Sequence, residues 1–179
     1  MSSGKILAAD YKHMAMLKFV GDVRVLMSST LDGYCNSLYR RGILDAMVVD
    51  LSETRGIDST ALGLLAKMAI QLLNRFNVTP TIISTNADIT KILHRMSFDK
   101  IFNIVDKPPP PPEQPSACAS INKPLPLKPA GYTELKQNTE NESTLRDKVL
   151  DAHITLMALS EQNKLEFQDL VQALRSQGF

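Results

Sequence analysis

Apolar positions alternate at the start of the chain and then settle into steps of three and four. "KILAADY" and "MAMLKFV" predict two strands. In the second, Ala15, Leu17 and Phe19 share one face and Lys18 takes the other. The Lys12–His13 pair between them predicts a tight hairpin. "VGDVR", residues 20–24, reads as a turn, and Ser28 or Ser29 as the cap of a helix carrying Leu31, Tyr34 and Leu38. "AMVVDLS" is a short apolar run of the kind that forms a buried parallel strand. A helix follows over 59–76, where Leu62, Leu65, Ala69, Leu72 and Phe76 make one stripe. "TPTIIST" predicts a strand, "NADITKILHRM" a helix capped by Asn86, and "KIFNIVD" a short closing strand. Strands alternating with helices imply an α/β fold with a mostly parallel sheet of four to five strands. The opening hairpin supplies its antiparallel pair.

Beyond this unit the pattern changes. Nine of the ten prolines fall between 108 and 129, where neither a helix nor a central strand can continue and five consecutive prolines favour polyproline II. The polar "AGYTELKQNTENEST" that follows has no strong period. The chain therefore divides into a domain over 1–107, a Pro-rich and polar linker over 108–142, and an amphipathic helical segment over 143–179. In that last segment Leu145, Val149, Ala152, Leu156 and Leu159 form a seam. Asn163 interrupts it, and Phe167, Leu170, Val171 and Leu174 form a shifted stripe. This is one helix with a changed face, or two helices breaking near Ser160.

Charge changes the picture little. Twenty basic and nineteen acidic residues are mixed along the chain, which argues against a nucleic-acid surface. The N-terminus has no apolar core of signal-peptide length, and Lys67 and Gln71 interrupt the most apolar stretch, so no membrane insertion is expected. Cys35 and Cys118 fit no CxxC motif or disulfide framework, and reduced thiols in a cytoplasmic protein are the simplest reading. No GxGxxG, P-loop or nucleophile-elbow motif occurs. His13, His94 and His153 lack ligand spacing and read as surface or packing residues. A non-enzymatic protein with neither cofactor nor metal is expected.

One stretch stands out. "GIDSTALGLL", residues 56–65, places Asp58, Ser59 and Thr60 where a helix begins and its first N–H groups need partners. By itself this is a helix cap. Together with the preceding strand, "VVDLSETRGIDSTALGLL" resembles the signature of the STAS domain, especially that of bacterial anti-sigma factor antagonists. Asp50, Leu51, Ser52, Ile57, Asp58, Ser59, Thr60, Leu62 and Gly63 carry the match, with Ala61 where Gly is usual. "VGDV" resembles the family's Gly-x-x-Asp turn, and "NADITKILHRMSFDKIFNI" looks like its last helix and strand, so the resemblance spans about 1–107.

The resemblance implies a STAS fold and a partner switch that regulates transcription. The unphosphorylated antagonist binds an anti-sigma factor, usually a GHKL-type serine kinase, which phosphorylates the serine after the motif's Asp. A PPM-type phosphatase reverses the step. That position is Ser59, with Thr60 the second choice, and the implied partner-binding set is Asp58, Ser59, Thr60, Leu62, Gly63 and Asp22. The C-terminal segment either packs on the domain or self-associates, or it docks a partner near Ser59. The alternative reading is a STAS structural subunit of a membrane transporter or other complex, without phosphate exchange.

Overall fold

The computed structural model describes residues 4–107, 131–137 and 140–176. The chain opens with the expected hairpin of β1 (Lys5–Tyr11) and β2 (Met14–Val23). Tyr11 pairs with Met14, and Lys12 turns the corner at φ 53°. There follow α1 (Ser28–Tyr39), β3 (Ala46–Ile57), α2 (Ser59–Phe76), β4 (Thr81–Ile83), α3 (Ala87–Arg95) and β5 (Asn103–Val105). After the Pro-rich stretch come β6 (Thr133–Glu134), α4 (Glu142–Leu159) and α5 (Glu161–Ser176). The polyproline reading of 108–129 falls outside the described residues.

The described strands form one mixed sheet in the order β5-β4-β3-β2-β1-β6, one strand wider than expected. β2 to β5 run parallel, while β1 is antiparallel to both its neighbours. The added strand arises within the stretch read as linker. Thr133 and Glu134 pair with Ala8 and Leu7, and Thr30 of α1 donates to the Lys136 carbonyl. Edge N–H and C=O groups of β1 thereby gain partners that a local pattern cannot anticipate.

Leu17, Phe19, Val49, Leu51 and Ile82 point from the sheet into the core, where Leu38, Leu65, Leu72 and Leu93 meet them from the helices. This follows from period 2 along the strands and period 3.6 along the helices. On the other sheet face Met16, Val48 and Ile83 form a small cluster. Beside it Lys18 pairs with Glu53 at 2.6 Å and lies 3.8 Å from Asp50.

Three local expectations change. "VGDV" is not a turn but the end of β2, where Gly21 (φ 77°) and a register shift before Asp22 form a bulge. β3 does not stop at Ser52. Its polar half, Glu53–Ile57, continues to pair with the ten-residue β2, and the buried Thr54 hydroxyl donates to the Phe19 carbonyl. Neither Ser28 nor Ser29 caps α1. The helix starts at Ser28, behind a 3-10 turn over Val25–Met27 that Met27 N–H closes onto Arg24.

Cys35, on α1, is buried and free. Burial pushes its thiol up to about 12. Above about pH 9 the unfolded chain loses this proton first, so unfolding becomes easier as pH rises from about 9 towards 12. Urea titrations at pH 8 and pH 10 are expected to show lower stability at pH 10, and Cys35→Ala should shrink that difference. In the native chain at pH 8 the thiol should resist alkylation, since the thiolate is the reactive form.

Candidate functional site

The helix N-terminus at Asp58 is assembled from three connections. Asp58 has extended backbone (φ −87°, ψ 164°), and its Oδ1 accepts from Ala61 N–H at 2.8 Å, capping α2. Its Oδ2 accepts from Val25 N–H at 2.7 Å, and its own N–H donates to Val23 O at 3.1 Å. The Asp58 carboxylate thus caps α2 and holds the 3-10 turn at Val25, while its backbone N–H ties the end of β3 to the end of β2. Asp22 lies at that same end, in register with Gly56.

Because Asp58 serves the cap, the Ser59 hydroxyl is not needed by its own helix. It meets a residue 94 positions away: Ser59 Oγ lies 2.8 Å from His153 Nε2 of α4. His153 Nδ1 is 2.7 Å from the Val149 carbonyl, which can only accept. A neutral ring then carries its proton on Nδ1, which leaves Nε2 to accept from the serine. His153 is 2% exposed, and its ring meets Phe167 of α5 edge-on at 5.0 Å.

The next turns of α2 repeat the contact. A Cβ on Gly63 would lie 2.6 Å from the Ala152 carbonyl carbon, so only glycine lets α4 approach this closely. One turn further, Lys67 pairs with Asp151. Positions 59, 63 and 67 lie on one face of the helix, at steps of four. Lys148 extends the attachment to α1 through Asp32 at 2.8 Å.

α4 and α5 break at Ser160, one of the two options left open by the sequence. Ser160 is extended (φ −160°), and its Oγ accepts from Asn163 N–H at 3.2 Å. Asn163, which interrupts the apolar seam, is fully buried. Its Nδ2 donates to Leu156 O at 2.9 Å and to Met96 O, at the end of α3, at 3.0 Å. Leu156 and Phe167 join Ala152 in the main core. The segment packs on the domain as a hairpin, over the face that carries Ser59.

The structure separates the expected site residues. Ser59 and Gly63 share the face of α2 that meets α4, Asp58 caps that helix, and Asp22 lies at the neighbouring end of β2. Thr60 and Leu62 are buried, at 5% and 2% exposure. Asp50 and Ser52 flank the inward-pointing Leu51 on the opposite sheet face, where Asp50 accepts from Ser52 N–H at 2.8 Å. His153, whose sequence context suggests a surface or packing residue, is buried against Ser59. No sequence signal linked it to Ser59, since the pairing depends on how the hairpin folds back.

Fold and site define the class: a small α/β domain with an N-terminal hairpin and an Asp-capped helix opening on a serine. The STAS-domain family model matches residues 5–108, more than half of the sequence. The chain belongs to the STAS-domain family. No curated protein matches it. A solved structure similar to it is that of an anti-sigma factor antagonist from Mycobacterium paratuberculosis, at 18% identity and a TM-score of 0.51. That likeness covers 59% of this chain and 87% of the other, and it is one of fold. α4 and α5 lie beyond the family match. No described helix is long and apolar enough to cross a membrane.

Proposed function

We propose that this protein is an anti-sigma factor antagonist that works by partner switching, binding an anti-sigma factor when Ser59 is unmodified and releasing it when Ser59 is phosphorylated. The observation that carries this reading is the division of labour at the start of α2. Asp58 does the capping, and the adjacent serine keeps a hydroxyl that its own helix does not use. The STAS family and the antagonist of similar fold support the same role.

The physical consequence of modification is large enough for a switch. A phosphoserine carries about −1.5 to −2 charges at pH 7. Facing a partner carboxylate at about 4 Å, each unit of like charge costs about 4 kcal/mol at an effective dielectric of about 20. Moving a complex from mostly bound to mostly free takes about 5.5 kcal/mol. A serine kinase, which can be the anti-sigma factor itself, and a PPM-type phosphatase complete the cycle.

Phosphate mapping by mass spectrometry on protein from its native cells tests the reading. Phosphate on Ser59 is expected, and in Ser59→Ala it should vanish without moving to Thr60. Ser59 unmodified through growth and stress would remove the phosphoswitch and favour a structural subunit of a larger complex.

A further inference from the structure

The face that would receive a partner is already occupied by the chain itself. Three consecutive residues of α4 cover the stripe on α2: Asp151 on Lys67, Ala152 on Gly63 and His153 on Ser59. Ser59 itself is part-buried, and its hydroxyl meets the buried His153 ring, so a kinase or partner that takes this face of α2 must displace α4.

We propose that the α4–α5 hairpin is a displaceable intramolecular cap, and that its opening sets access to the Ser59 face. The proposal rests on the reading of Ser59 as the switch residue. Its own evidence is the contact between hairpin and domain.

The composition of that contact suits a reversible association. Its apolar part is Ala152, Leu156 and Phe167 in the main core, with the partly buried Met157 and Leu159 packed against it. Two of its buried side chains, His153 and Asn163, are polar, and Asn163 Oδ1 has no hydrogen-bond partner among the described residues. Two of the outer ion pairs, Lys67–Asp151 and Arg95–Glu166, are largely exposed and hold little, while Lys148–Asp32 is less exposed. Interfaces between units of one chain with this polar character resemble transient ones. The sheet and its facing helices keep Leu17, Phe19, Val49, Leu51, Leu65 and Leu72 as a core of their own when the hairpin leaves.

The cap also describes what can replace it. Against Gly63 only a small side chain fits, with a carboxylate within reach of Lys67 and an acceptor at Ser59. The competing partner element is therefore a helix with a small residue at the crossing, an acid on one side and an acceptor on the other. Because the hairpin is tethered, it competes at high local concentration, and the partner's apparent affinity falls by the fraction of chains that are open.

The test uses the full chain with Ala152→Arg, which forces a long charged side chain against Gly63, and Ala152→Ser as the small control. In a Ser59→Cys background, N-ethylmaleimide labelling of the introduced thiol is followed peptide by peptide. Labelling is expected to be slow in the parent and control and at least about tenfold faster with Ala152→Arg. Equal rates in all three would overturn the cap. In parallel, the fraction of Ser59 phosphorylated in native cells is compared between the unaltered chain and Ala152→Arg. A higher fraction in the variant supports gating. An equal, nonzero fraction overturns it.

Faster labelling with no phosphate in either chain leaves the cap standing and removes the phosphoswitch. If Ala152→Arg fails to fold, amide exchange on the unaltered chain decides. α4 and α5 should exchange together and faster than the Leu65–Leu72 stretch of α2, and equal protection would overturn the cap.

Discussion

Asp58→Ala is expected to lower stability by about 2–4 kcal/mol, because one carboxylate serves two backbone donors from different segments. Loss of the bond to Ala61 N–H removes the α2 cap, which costs about 0.5–2 kcal/mol in comparable helices. Val25 N–H, held at 2.7 Å, is orphaned in a partly buried position, at a further cost of about 1–3 kcal/mol. In a chain of this size the midpoint of thermal unfolding should fall by about 5–15 °C. Asp58→Asn, which keeps one acceptor oxygen, should lose about half as much. A variant melting with the wild type would mean that water replaces both bonds. Since Asp58 precedes Ser59, the same substitution should also loosen the serine's placement, visible as faster amide exchange in the first turn of α2.

Leu65→Ala and Leu156→Ala remove the same atoms from two fully buried sites, yet their effects should differ in kind. Leu65 packs between the sheet and α2, so its truncation should cost about 2–5 kcal/mol of global stability. Leu156 belongs to the hairpin. Its truncation should chiefly open α4 and α5, appearing as an early, shallow phase in urea unfolding while the main transition stays near its wild-type midpoint. Equal losses in one shared transition would show that hairpin and domain unfold as a unit, and would weaken the case for a displaceable cap.

Much of the fold could be read locally, and particular residues show why. Leu62, Leu65, Ala69, Leu72 and Phe76 repeat at the helical period, and α2 runs from Ser59 to Phe76 as that stripe requires. Lys12 and His13 sit between two alternating runs and form the turn. Asn86 caps α3 through Asp88 N–H at 2.9 Å. Two of the departures share one cause. Glu53–Ile57 has no strand-like alternation of apolar residues, and it is a strand because the long β2 beside it offers pairing partners. Thr133 and Glu134 are polar and follow the Pro-rich stretch, and they pair because β1 has a free edge. In both cases hydrogen bonding to a distant neighbour outweighs the local pattern.

The site divides the same way. From the sequence alone came the helix start at Asp58, the hydroxyl beside it, a glycine one turn on and a C-terminal segment with an apolar seam broken at Asn163. Each follows from near-neighbour spacing, because caps and stripes are made within a few residues. Only the tertiary structure decided that the seam lies over α2, that Gly63 admits Ala152, and that His153 is the hydrogen-bond partner of the Ser59 hydroxyl. An apolar stripe specifies that a face must be buried but not against what. The choice rests on shape and polar complementarity between segments about 90 residues apart, which comes into being when the chain is folded.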